Sequence, residues 1–243
     1  MNLTVVYDNN AYDPRLTTSW GFGCLITYGP HTILFDTGGD GKILMSNMQK
    51  LGLDPRTIDV VVLSHIHGDH TGGLGSILAL GTRPTVYVPH SFPESFKAQV
   101  RQQADLHEVS GAEEIYKGVY ATGEMMGNPR EQALALETAK GLVVITGCAH
   151  PGVDTLVRAA REITGGDVCL VLGGFHLGSA GTPKVRRIIS DLREMGVEKV
   201  APCHCTGARA TAEFAARYGD DFMRCGVGFR WSVEAGPEAK PSG

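Results

Sequence analysis

The stretch that most constrains this chain is Leu63-Ser64-His65-Ile66-His67-Gly68-Asp69-His70-Thr71-Gly72-Gly73, which follows the apolar run Val60-Val61-Val62. A buried strand that ends in a loop of imidazoles and a carboxylate is poor core material. Three histidines and an aspartate are, however, good ligands for zinc or another borderline divalent metal. His65 and His67 are two positions apart, so in an extended segment both side chains point to one side. The turn at Gly68 then lets Asp69 and His70 reach a neighbouring position. A solvated polar loop has no reason to concentrate these residue types behind a strand, so the expectation is a metal-dependent enzyme.

The chain has 243 residues, of which 42% are hydrophobic and 20% charged, the composition of a soluble globular protein. No linker or composition break divides it, which predicts one α/β domain over residues 1–234 and an unstructured tail over 235–243. The first residues lack the basic and apolar regions of a signal peptide, and no apolar run approaches the ~20 residues that span a bilayer. A cytoplasmic protein without a membrane partner is expected. A net charge of −4 without a long run of one sign gives no footprint for nucleic acid, so the expected partner is a small-molecule substrate, with homo-oligomerisation left open. Six cysteines without a CxxC pair are too few for a disulfide scaffold and are expected reduced.

Strands are predicted at 3–7, 22–28 and 32–35, the third ending in Asp36-Thr37-Gly38-Gly39. Leu44, Met48 and Leu51 mark one helical face, closed by Gly52. Strand 60–64 delivers the histidine loop, followed by a helix at 72–80, a strand at 85–88 and a helix around 95–104. Residues 106–138 give a weaker, strand-like pattern, and 125–130 reads as a flexible loop bordering a pocket. The second half is clearer. Strand 142–145 ends in Thr146-Gly147-Cys148-Ala149-His150, and Val153, Leu156, Val157, Ala160 and Ile163 make an amphipathic helix. Strand 168–172 ends in Gly173-Gly174-Phe175-His176. Thr182 is read as an N-cap with Pro183 in the first turn. Strand 197–201 ends in Pro202-Cys203-His204-Cys205-Thr206-Gly207, an Ala-rich helix runs to Tyr218, and 223–227 and 229–233 read as closing strands. Asp36, the 65–70 cluster, His150, His176 and His204 thus each follow the carboxyl end of an apolar strand, and α/β sheets gather such ends on one rim.

These residues, Phe35-Asp36-Thr37-Gly38, the His-x-His-x-Asp-His run, His150 and His204, resemble the metallo-β-lactamase superfamily over most of the chain. A closer resemblance, carried by Trp20-Gly21-Phe22, Thr146 to Gly152, Gly173-Gly174-Phe175-His176-Leu177 and His204-Cys205-Thr206-Gly207, is to the subgroup of dihydropterin-ribofuranosylaminobenzene-phosphate synthases. The resemblance implies an αββα sandwich, two packed mixed sheets with helices outside and the metal site at one edge. It implies two divalent ions, zinc first with iron or manganese as alternatives, the first held by His65, His67 and His150 and the second by Asp69, His70 and His204. Asp69 would orient a water activated by the metals and take its proton. Asp36 would orient a ligand histidine. Many relatives place an Asp after the strand that here ends in Gly173-Gly174-Phe175-His176; His176 in that place implies a ligand without a bridging carboxylate and a more positive site that favours an anionic substrate.

The implied activity is a metal-dependent hydrolase acting on a phosphoester, ester or lactone. The subgroup implies instead a synthase that condenses a dihydropterin with a ribofuranosylaminobenzene phosphate, and an iron-dependent dioxygenase is a further alternative. Lys184, Arg186 and Arg187 open the helix after His176, and Lys184 is the candidate to meet a substrate phosphate, against the ordinary reading of a solvated helical face. Cys148 shares the parity of His150 and is the thiol best placed to face the site, although burial is the usual role of such a cysteine. Trp20 and Phe22 suit a pocket wall or the core equally. His31, His90 and His107 lack a strand-end context and read as surface or structural.

Overall fold

A computed structural model describes residues 1–236. Residues 237–243 of the expected tail lie outside the described residues, whereas Ala235 bridges Thr138 and the Gly236 N–H donates to the Glu137 carbonyl at 3.3 Å.

Apolar residues on both faces of a strand demand cover on both sides, and this chain supplies it with two sheets and two helical layers. The first half provides β1 (Asn2–Asp8), β2 (Phe22–Tyr28), β3 (His31–Phe35), β4 (Val60–Val62), β5 (Thr85–Pro89) and β6 (Asp105–Val109). The second sheet contains β7 (Glu113–Tyr116), β8 (Val119–Ala121), β9 (Leu134–Thr138), β10 (Gly141–Thr146), β11 (Val168–Gly174) and β12 (Lys199–Cys203), and β13 (Arg230–Ser232) returns to the edge of the first. The orders are β13-β1-β2-β3-β4-β5-β6 and β12-β11-β10-β9-β8-β7. Strands β3 to β6 run parallel, as do β10 to β12, while the remaining pairings between neighbours are antiparallel.

The period-two alternation separates three apolar layers. Val5, Ile26, Phe35 and Val62 face Leu134, Val143, Ile145 and Leu172 across the space between the sheets. Val6, Leu34, Val61 and Val86 face outward onto Leu44, Met48, Ile77 and Val100, carried by helices α1 (Gly41–Lys50), α3 (Leu74–Leu78) and α4 (Glu94–Arg101), with the one-turn α2 (Gly68–Thr71) ahead of α3. Val144, Val171 and Val200 face Leu156, Val185, Ile189 and Phe214 of α5 (Val153–Thr164), α6 (Thr182–Glu194) and α7 (Ala208–Tyr218). The result is the expected αββα sandwich of two mixed sheets.

Three local expectations are corrected. The helix predicted over 72–80 is confined to α3, because Gly72 and Gly73 pack against backbone: a Cβ on Gly73 would lie 2.1 Å from the Thr37 carbonyl oxygen. Thr182 is the first helical residue rather than the cap, Gly181 taking the cap position; proline fits anywhere in the first turn, where its missing N–H costs nothing, and so does not fix the boundary. The strand expected at 223–227 is not formed. Val227 makes an isolated bridge to Ala11, and Gly226 and Gly228 press against the backbone and side chains of residues 10–16.

Among the described residues no helix is long and apolar enough to cross a membrane.

Candidate metal centre

Six strand ends converge on one rim: Asn9 follows β1, Asp36 follows β3, the histidine loop follows β4, Cys148 to His150 follow β10, His176 follows β11 and His204 follows β12. The chain strains itself to deliver them. Asp36, Ala149, His176 and His204 have φ of 55°, 62°, 50° and 48°, which accounts for four of the five described non-glycine residues in the left-handed region. Such conformations are disfavoured for residues with a Cβ and persist where surrounding contacts enforce them, often at functional sites.

Each buried ring is fixed through its Nδ1. His70 Nδ1 lies 2.7 Å from Asp36 Oδ2, His150 Nδ1 lies 2.7 Å from Glu131 Oε2, and His204 Nδ1 lies 2.8 Å from Asn9 Oδ1. His65 Nδ1 donates to Ser64 Oγ at 2.9 Å, and that hydroxyl donates to Asp36 Oδ2 at 2.7 Å. A carboxylate or carbonyl beside Nδ1 keeps the proton there and leaves Nε2 as the free donor atom. Asp36 therefore orients His70 directly and His65 through Ser64, while its other oxygen accepts the Ser64 N–H at 2.7 Å. Glu131 plays the matching part in the second half. Its oxygens accept the N–H groups of Cys148, Ala149 and His150, each at 2.8 Å.

The freed nitrogens converge. His70 Nε2 and His204 Nε2 are 3.2 Å apart, and His65 Nε2 is 3.2 Å from His67 Nδ1. Asp69 Oδ2 stands 3.6 Å from His70 Nε2 and 3.4 Å from His204 Nε2. Two nitrogens bound tetrahedrally to one zinc ion at about 2.0–2.1 Å lie roughly 3.3 Å apart, so these pairs have the spacing of ligands around a cation. With both Nδ1 protons committed, the His70–His204 approach sets two lone pairs face to face, an arrangement that a cation satisfies. The donor set fits a metal.

The electrostatics agree. Burial lowers the pKa of His65 to about 3 and that of His70 to about 4, keeping both rings neutral and ready to ligate. Burial would also lower His204, but the Asp69 carboxylate outweighs it and raises the value, so a proton competes with a metal at this ring. Burial pushes Asp36 up to about 7 against its hydrogen bonds from Ser64. For Glu131 burial acts in the same sense, yet the hydrogen bond from His150 and the nearby His65 bring it down to about 2. Asp69, only partly buried, is held well below the usual carboxylate range: desolvation opposes this, and His204 and His70 prevail.

The expected residues are thus brought together in two groups. His65, His67 and His150 lie side by side, with ring centroids 4.7–5.1 Å apart, and Asp69, His70 and His204 form the second. His176 adjoins the first group without sharing its donor atoms. Its ring is 4.5 Å from that of His150, but its nitrogens group with the thiols of Cys148 and Cys205, and it is exposed. Lys184 and Arg187 line a cavity of about 220 Å³ together with His150, His176 and Asp154. Trp20 is 59% exposed, with its ring 4.9 Å from His204, which decides between pocket wall and core for this residue; Phe22 is wholly buried in the inter-sheet core.

Glu131 and Asn9 were missed by sequence reasoning. Asn9 directly follows a strand, the same signal that exposed the histidines. Glu131 has no such marker, since its role is created by the β10 loop folding onto it.

Residues 24–204 match the family described as the metallo-beta-lactamase superfamily. The chain is 30% identical to the 7,8-dihydropterin-6-methyl-4-(beta-D-ribofuranosyl)-aminobenzene-5'-phosphate synthase of Methanocaldococcus jannaschii, over 93% of this chain and 94% of that protein. Its structure superposes with a TM-score of 0.81 and 29% identity on the crystal structure of Tm1679, described as a metal-dependent hydrolase of the beta-lactamase superfamily, covering 96% and 99% of the two chains. Human tRNase Z, short form, shares the fold at a TM-score of 0.67 and 13% identity over 96% and 99%. With the histidine run, the strand-end histidines and the αββα sandwich all in place, the chain belongs to the metallo-beta-lactamase superfamily.

Proposed function

We propose that this protein is a metal-dependent hydrolase acting on a small anionic phosphoester, ester or lactone, with two divalent ions, zinc in the first place and iron or manganese as alternatives. The observation that carries this reading is the pair of donor groups at ligand spacing on one rim. His65, His67 and His150 would hold one ion and Asp69, His70 and His204 the other. When bound, the ions supply Lewis acidity and ionise a water near neutral pH. The protein's own part is orientation and proton handling. Asp36 and Glu131 fix the imidazole tautomers. Asp69, whose side chain is 22% exposed, is the carboxylate on the open side of the site, placed to orient a water and accept its proton. Lys184 and Arg187 beside His150 supply positive charge for an anionic group of the substrate.

A second reading is the synthase, favoured by the M. jannaschii relative, whose name specifies a pterin and an aminobenzene ribose phosphate. Protein loaded with zinc, manganese or iron, offered aryl phosphoesters and lactones in one set of assays and a dihydropterin with an aminobenzene ribotide in another, separates the two. Hydrolysis that disappears on chelation and returns with metal supports the hydrolase. Condensation without hydrolysis assigns the synthase, and a chain that takes up no metal defeats both.

A further inference from the structure

Cys148 occupies a position that neither histidine group explains alone. The donor atoms of His65, Cys148 and His150 lie within 4.8 Å of one another, and so do those of His70, Cys148 and His204. The sulfur is the atom common to both sets. It stands 3.3 Å from His70 Nε2, a nitrogen whose ring proton is committed to Asp36 on the other side. A thiolate at about 2.3 Å and an imidazole at about 2.0–2.1 Å around a tetrahedral ion are separated by roughly 3.6 Å, close to what is found.

Charge gives a second, independent argument. Two divalent cations would meet five neutral imidazoles and one carboxylate, Asp69. Of the other carboxylates nearby, Asp36 and Glu131 spend their oxygens on backbone N–H groups, the Ser64 hydroxyl and imidazole Nδ1 protons, and Asp8, which acts on His204 through its charge, belongs to neither donor group. A buried pair of cations needs more negative charge close by, and Cys148 is the anionic donor that remains between them. Its backbone is locked for the task, since the Cys148 N–H donates to Glu131 Oε1 at 2.8 Å, the same carboxylate that orients His150. Cys205 is not equivalent: its sulfur groups with His176 and Cys148, and with neither histidine pair.

We propose that the Cys148 sulfur, as a thiolate, is a ligand shared by the two metal positions. The thiol proton leaves to solvent on loading, and two sulfur–metal bonds form without any change of oxidation state. A soft ligand at the centre selects zinc, cobalt or ferrous iron over manganese and magnesium. The inference rests on the metal reading of the two histidine groups.

The test is spectroscopic. The metal-free full-length protein, titrated with cobalt(II), is followed in the near ultraviolet for thiolate-to-cobalt charge transfer and in the visible for ligand-field bands. The expected result is a charge-transfer band that grows over two equivalents, persists in Cys205→Ser, and is lost in Cys148→Ser, where metal affinity falls by more than the roughly 10–100-fold that follows loss of a group merely supporting a ligand. Cys148→Ala and a thermal melt of each metal-free variant identify any loss of fold. Two equivalents of cobalt bound by the wild type with ligand-field bands but no charge transfer overturn the shared thiolate and leave the histidine groups standing. A band that survives in Cys148→Ser or vanishes in Cys205→Ser overturns it as well. A wild type that binds no cobalt overturns the metal reading itself.

Discussion

Glu131 and Asp36 show how much a single buried carboxylate does at this rim. Each touches backbone N–H or hydroxyl groups as well as an imidazole, so each ties loop shape to ring orientation. The Glu131 pKa falls from its ordinary 4.5 to about 2. A lowered carboxylate contributes stability that is full above the unfolded value and is lost as pH falls from 4.5 toward 2. For this fully buried group the contribution near neutral pH is about 3 kcal/mol. Glu131→Gln is therefore expected to destabilise the metal-free protein by about that amount at pH 7, with the gap from wild type narrowing below pH 4.5 in denaturant melts. Asp36→Asn is expected to act on affinity: an amide nitrogen in place of either oxygen faces a donor, Ser64 N–H on one side or His70 Nδ1–H on the other. Competition with a chromophoric chelator should show roughly 10–100-fold weaker metal binding, and unchanged affinity would refute the orienting role. Asp36 was visible in the sequence because it follows a strand and heads a recognisable run. Glu131 was not, because nothing local to Arg130-Glu131-Gln132 says that three N–H groups from another loop will descend on it.

At the level of elements, β11 and the amphipathic helices α5 and α6 were legible almost to the residue, since Val168 to Leu172 and the Val185, Ile188, Ile189, Leu192 pattern carry strong periodicity, whereas β12 starts two residues later than expected and no strand forms at 223–227. The weak region resolved into β6 to β9, strands only partly apolar because β6 and β7 lie at sheet edges. Chain direction at a tight glycine approach, as at Gly72 and Gly73, depends on the opposing backbone and leaves no periodic trace. Two loops flank the site. One carries Trp20 against His204, and the other carries Met126, 72% exposed, and Gly127, where a Cβ would come within 3.0 Å of His150 Cβ. Large apolar side chains kept in solvent beside a polar site make a binding wall. Trp20→Ala is expected to raise KM for the natural substrate about fivefold, near 1 kcal/mol, with kcat little altered, because the ring touches no residue that handles a proton except through His204. Steady-state kinetics check this split, and an equal fall in kcat would place Trp20 in the chemistry.

Over the whole molecule, the proposed ligands come from both sheets: His65, His67, Asp69 and His70 from the first, His150 and His204 from the second. Metal binding should then stabilise the entire fold. At a hundredfold excess over Kd each site adds about 2.7 kcal/mol, and a chain of this size gains roughly 2–4 °C per kcal/mol. Chelation is expected to lower the melting temperature by roughly 10–20 °C, reversibly on adding zinc, and calorimetry measures it; a melt indifferent to chelator would rule the assignment out. The layered fold and the pairing of strand ends across it were readable because the ligand-bearing loops occur in a fixed order along the chain. The nearness of the Cys148 sulfur to histidines of both groups was not, because parity within one loop says nothing of the distance to a loop from the other sheet.

The order in which the rim is assembled bears on how the proposed ions would be acquired. During synthesis the histidine loop emerges with only part of a ligand set, and β10 and β12 must be made and docked before His150 and His204 close the two groups. A nascent chain therefore offers no complete cage until residue 204 has cleared the ribosome and the second sheet has folded onto the first. On the two-group reading, neither ligand set is complete before β10 and β12 have docked, so tight metal binding would need both sheets in place.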